Sequence, residues 1–110
     1  MITVTATKHI QINDDEIAYF LTEKGVVEIG LHTGEIRTLR TSIRELAKKY
    51  PHFIQTGNKC LVDPNAIRSI SYPKQIIRTQ HKELPISRDW KRRVKEQLNE
   101  INMEIPSRPD

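Results

Sequence analysis

One cysteine, Cys60, stands alone in the 110 residues. The chain therefore has neither an internal disulfide nor the cysteines of a zinc finger, and a reducing cytoplasm is the expected compartment. Four glycines, Gly25, Gly30, Gly34 and Gly57, lie too far apart to form a phosphate-cradling loop. Phe, Trp and Tyr make up only 5% of the residues, too few for the clustered platform on which single-stranded nucleic acids stack. No apolar run approaches the roughly 20 residues of a membrane span, and residues 1 to 8 lack the basic start and unbroken apolar stretch of a signal peptide. His9, His32, His52 and His81 are scattered without metal-ligand spacing, and the adjacent acids Asp14, Asp15 and Glu16 have turn composition. Cys60, flanked by Lys59 and Leu61, reads as a small buried strand thiol. No catalytic residue, cofactor or metal is expected, and the chain does not read as an enzyme.

What is present describes one soluble domain: 36% hydrophobic and 29% charged residues over a length that supports one core. The net charge is +4, and its placement says more than its size. Positions 1 to 60 hold 8 basic and 7 acidic side chains, against 10 and 7 in the rest. Five of those 10, Arg88, Lys91, Arg92, Arg93 and Lys95, fall within eight positions that carry a single acid, Asp89. Alone, such a run is a solvated helix face.

Alternation of apolar residues at Ile2, Val4, Ala6, Ile10 and Ile12, and again at Ile17, Tyr19 and Leu21, predicts half-buried strands separated by a turn at Asn13 to Asp15. Glu23, Lys24 and Gly25 form the next break. Val26–Leu31 and Ile36–Leu39, joined by His32, Thr33, Gly34 and Glu35, read as a hairpin. Ser42 and Glu45 have capping-box spacing, which predicts a short helix over 43–50 closed by Pro51. One extended stretch is expected from Phe53 through Val62, a turn at Asp63 to Asn65, and two further strands at 67–71 and 75–79. Ser87 caps a second helix in which Trp90, Val94, Leu98 and Ile101 form an apolar stripe, with Lys91, Arg92 and Lys95 off it. Residues 104–110, with Pro106 and Pro109, are expected to be a disordered tail. The fold class is mainly β, α+β by content: antiparallel sheets with a short middle helix and a basic C-terminal helix.

Two segments resemble a known family. Phe53-Ile54-Gln55-Thr56-Gly57-Asn58-Lys59-Cys60-Leu61-Val62-Asp63 is similar to the central motif of LytTR-type DNA-binding domains: phenylalanine, apolar, arginine, any residue, histidine, arginine or asparagine, serine, aromatic, leucine, valine, asparagine. Leu84-Pro85-Ile86-Ser87-Arg88, running into the basic helix, resembles that family's closing motif of apolar, proline, valine, serine, arginine. The order agrees over residues 2 to 101, which sets the domain at 1–103.

The resemblance implies a bacterial transcription regulator that reads double-stranded DNA through loops rather than a recognition helix. It points to Asn58 and its neighbour Lys59 in the central turn, to Arg88 at the start of the basic helix, and to Lys24 in an early contact loop. An asparagine amide can pair bidentately with adenine, and an arginine with a guanine edge or a phosphate. Lys91, Arg92 and Lys95 are the expected phosphate contacts. Two positions depart from the pattern: Gln55 stands where arginine is usual and Gly57 where histidine is usual, implying weaker phosphate attraction or a different preferred sequence. The implied partners are duplex DNA, a second copy on repeated sites, and an upstream receiver or sensor domain of a two-component system. A protein-interaction module that modulates another regulator is the alternative, with an exposed contiguous apolar patch as its mark.

Overall fold

The computed structural model describes residues 1–5, 9–23 and 25–108, and the described strands form three antiparallel sheets. β1 (Ile2–Thr5) and β2 (His9–Ile12) pair as a hairpin with Ile2 opposite Ile12; Ala6, part of the expected alternation, lies outside the described residues. The central sheet comprises β3 (Ile17–Glu23), β4 (Val26–Leu31), β5 (Ile36–Leu39), β6 (Ile54–Gly57) and β7 (Cys60–Val62), in the order β5-β4-β3-β7-β6. A third sheet holds β8 (Ser69–Ser71), β9 (Ile76–Arg78) and β10 (Glu83–Pro85), with β9 in the middle.

Two helices close the structure. α1 (Ile43–Lys49) starts at Ser42, whose Oγ accepts from the Glu45 amide at 3.1 Å, while the Glu45 carboxylate faces Lys48 at 3.7 Å. α2 (Lys91–Glu100) follows a single tight turn at Arg88–Trp90.

The central sheet is covered on both faces, so its strands read differently from the half-buried expectation. Residues 17 to 21 are all buried. On one face Ile17, Phe20, Val27, Ile29 and Leu61 pack with Ile2 and Ile12 of the hairpin and with Ile43, Leu46, Tyr50 and Phe53 of the α1 region. On the other, Tyr19, Leu21, Ile54, Cys60 and Val62 pack with Ile70, Ile77, Leu84 and Ile86 of the third sheet and with Val94 and Leu98 of α2. The central motif alternates between these two cores: Phe53 and Leu61 enter one, Ile54, Cys60 and Val62 the other. Most of that motif is scaffold.

Four expectations are corrected. The stretch from Phe53 to Val62 is a hairpin, because Asn58 and Lys59 turn the chain between Gly57 and its partner Cys60. A short strand, β10, precedes the second helix, and its Pro85 sits on an outer strand where a missing amide is tolerated. The apolar stripe reduces to Val94 and Leu98: Trp90 precedes α2 and is half-buried, whereas Ile101 is 45% exposed. Asn102, with φ of 53°, turns the chain back so that the Met103 amide bonds Leu98 O at 3.2 Å, and the helical period ends before Ile101. Finally, the segment expected to be disordered lies along β8 as far as Arg108. Ile70 donates to Pro106 O at 2.9 Å, Arg108 donates to Ile70 O at 2.7 Å, and Ile105 packs against the core.

Candidate nucleic-acid interface

The residues singled out by the two motifs meet because the closing segment crosses from one sheet to the other. Pro85 pairs with Ile76 in the third sheet, and Ile86 is buried, its amide bonding Gln75 O at 2.8 Å. The Ser87 amide then bonds Thr56 O of β6 at 2.8 Å, and the buried Thr56 hydroxyl donates to Pro85 O at 2.8 Å. Arg88 emerges directly after this seam, and Asn58 directly after β6. Both are exposed.

Gly57 explains one departure from the family pattern. A Cβ there would lie 2.1 Å from Ser87 Oγ and 2.9 Å from Ser87 Cβ, so the seam leaves no room for a side chain unless Ser87 moves. Gln55 explains the other: its side-chain amide donates to Gly57 O at 3.0 Å, bracing the turn from within. Ser87, expected to cap the helix with its side chain, makes no such bond; its carbonyl accepts the Trp90 amide at 2.9 Å.

A second junction lies beside the first. The Thr22 amide bonds Lys59 O at 2.9 Å, joining the end of β3 to the start of β7. An open hollow there is bordered by Glu23, Gly25, Lys59, Lys82, Glu83 and Pro85. The β3–β4 turn, with Gly25 at φ of 81°, thus shares an edge with Lys59. Lys24 itself lies outside the described residues. Lys82, near this edge, is engaged: its Nζ is 2.8 Å from Glu28 Oε2, which also accepts from the Tyr19 hydroxyl. Burial opposes the charge on Glu28, but the Lys82 ammonium and the Tyr19 hydroxyl outweigh it and hold the carboxyl below its usual value. The Tyr19 ring lies over Gly30, where a Cβ would collide with it, and burial followed by the Glu28 contact raises its hydroxyl pKa. Burial pushes the Cys60 thiol up to about 12, so it is not a nucleophile at neutral pH.

The helix cations do not act as one group. Among the described residues Arg88 and Lys91 form no ion pair, and they stand at and just after the seam. Arg92, with 91% of its side chain exposed, is 3.1 Å from Glu96 one turn on. The Arg93 guanidinium lies 4.5 Å from the Trp90 ring centre, and Lys95 Nζ lies 4.6 Å from that of Tyr72. Lys95 borders a separate groove with Ile70, Leu98 and Ile105. The structure therefore gathers Asn58, Lys59, Arg88 and the β3–β4 turn at one end, with Lys91 next to them, and sets Lys95 apart. Sequence reasoning missed Thr56, Ser87 and Gln97 as the groups that join these segments. Their partners are backbone atoms distant in sequence, so no local pattern marks them.

Short antiparallel strands that present turns and a basic helix start at one end define a β-rich domain. Its fold is shared with the LytTr DNA-binding domain attributed to a methyl-accepting/DNA response regulator of Bacillus cereus: the TM-score is 0.78 at 16% identity, covering 88% of this chain and 94% of that one. Comparison with curated proteins finds no match. The sequence profile of the LytTr DNA-binding domain matches residues 7–99, and the chain belongs to that family. No helix among the described residues is long and apolar enough to cross a membrane.

Proposed function

We propose that the chain is the sequence-reading module of a bacterial transcription regulator, in which Asn58 and Arg88 contact base edges of double-stranded DNA. Lys59, Lys24 and Lys91 hold the flanking phosphates, and Arg92 and Lys95 add longer-range attraction. The observation that carries this reading is the seam between Thr56, Gly57 and Ser87, which joins the Asn58 turn to the segment of Arg88 just ahead of the start of α2, where free backbone amides favour phosphate. The amide of Asn58 and the guanidinium of Arg88 are both exposed and carry the donor patterns that distinguish base pairs in the major groove.

Selection from random duplex pools, followed by titration of the recovered sequence against random duplex, tests it. With about 4 to 6 phosphate contacts, log K falls against log salt with a slope near −4 to −5. Asn58→Ala and Arg88→Ala each cost about 1 to 3 kcal/mol on the selected duplex and far less on random duplex. Equal losses on both duplexes would move the residue concerned to phosphate positioning, and a flat salt response would sink the DNA reading.

A further inference from the structure

We infer that Gln97 is a positioning residue for the readout turn, and this inference rests on the role of Asn58 proposed above. β6 is an outer strand of the central sheet, and the free edge of an outer strand has no neighbouring strand to meet its amides and carbonyls. At Gln55 the side chain of Gln97 takes the place of that strand. The Gln55 amide donates to Gln97 Oε1 at 2.9 Å, and Gln97 Nε2 donates back to Gln55 O at 2.8 Å. This is the reciprocal pair of bonds that two hydrogen-bonded residues of an antiparallel ladder exchange. A third bond, from Nε2 to Arg93 O at 3.2 Å, ties the same amide to the preceding turn of α2.

Only a primary amide offers an acceptor and two donors on one planar group of this reach. One residue further along β6, the pairing of Gln55 with Leu61 shifts to Gly57 with Cys60, so the strand bulges at Thr56. A bulge re-aims the chain that follows it. Here Gln97 fixes the strand before the bulge and the Ser87 amide fixes the bulged Thr56 itself, which sets the direction in which Asn58 leaves the sheet. The Gln97 side chain is half-buried against β6, so it does its work without touching DNA.

The test compares Gln97→Met, which keeps length and loses all three bonds, with Gln97→Glu, which keeps the acceptor and loses the donor. Each is titrated against the duplex recovered by selection and against random duplex, alone and combined with Asn58→Ala. Gln97→Met is expected to lower affinity for the selected duplex about tenfold, in line with one to two hydrogen bonds' worth of ordering. Random-duplex affinity changes less than about twofold, and the salt slope stays unchanged because no phosphate contact is lost. Gln97→Glu falls between parent and Gln97→Met. In the double variant the loss is no greater than for Asn58→Ala alone, since Gln97 acts through that turn. Amide hydrogen exchange on the free protein adds a readout independent of DNA: in Gln97→Met the Gln55 amide exchanges faster while the β3 amides do not. Additive losses, equal losses on both duplexes, or unchanged exchange at Gln55 would overturn the inference while leaving the role of Asn58 standing. If Asn58→Ala itself lowers affinity equally on selected and random duplex, both fall.

Discussion

The two faces of the central sheet use their aromatic residues in opposite ways. On the α1 side, Phe20, Tyr50 and Phe53 pack against one another with ring centres 5.1 to 5.6 Å apart. The cluster's polar contacts are the Tyr50 hydroxyl, bonded to Asp14 at 2.7 Å, and the His52 ring, edge-on to Phe53 at 4.9 Å. On the α2 side each large ring faces a cation: Tyr19 has Lys82, Tyr72 has Lys95 and Trp90 has Arg93. Cation and ring contacts of this kind are worth about 0.5 to 1 kcal/mol at exposed sites, whereas burying an aromatic ring is worth several times that. Both faces bury an apolar core, and the α1 face concentrates its aromatic burial in one cluster. The α2 face adds directed polar contacts to its aliphatic core, and every described member of the candidate interface hangs from it.

That contrast breaks most visibly at Phe20. Phe20→Ala removes the ring at the centre of the aromatic cluster and should cost about 3 to 5 kcal/mol in denaturant unfolding. The ratio of selected-duplex to random-duplex binding should hold wherever the variant remains folded. A loss of that ratio in the folded variant would mean that the two faces are not separable in function. Trp90→Ala, on the other face, should cost only about 1 to 2 kcal/mol, because the indole is half-buried and gives up one cation contact with some packing. A loss as large as that of Phe20→Ala would put Trp90 in the core, contrary to its place ahead of α2.

Sequence patterning reached further on the α1 face than on the other. The β4–β5 hairpin and the Ser42 cap were legible to within a residue, because their signals are local: alternation, a glycine-bearing turn, a serine three residues before a glutamate. On the α2 face the motif residues were legible but their junctions were not. Thr56, Ser87 and Gln97 bond backbone atoms up to 42 positions away, and a side chain that completes another strand's edge leaves no periodic trace. The expected stripe overran because the 3.6-residue period was continued to Ile101, where the helix has already ended ahead of the left-handed Asn102. The tail was read as disordered from its prolines, although the outer edge of β8 gives its backbone something to bond.

Acid sharpens the comparison next. Because the folded state lowers the Glu28 pKa from its usual 4.5, the unfolded chain binds the proton more readily. The contribution is therefore fully present above about pH 4.5 and is lost as pH falls through the folded value. Glu28→Gln should be less stable than the parent at neutral pH, with the gap closing below that range in unfolding curves taken at successive pH values. A gap that stays constant with pH would assign the difference to packing around Tyr19 rather than to the charge that Lys82 meets.

The smallest effect separates cations that sequence alone places in one run. Lys91 stands beside the seam with no ion pair among the described residues, Arg92 already has Glu96 as a partner, and Lys95 sits over Tyr72 beside a different groove. A lysine that neutralises one phosphate contributes about one unit to the salt slope. Lys91→Ala should therefore flatten the slope by close to one unit on selected and random duplex alike. Arg92→Ala should do less, since the parent must weaken the Glu96 contact to reach a phosphate, and Lys95→Ala should change the slope by less than about half a unit. Slopes measured over the same salt series decide the order. Were Lys95→Ala to flatten the slope as much as Lys91→Ala, the DNA would have to run along the flank of α2 toward Tyr72, and the interface would extend well beyond the end of the sheet that holds Asn58 and Arg88.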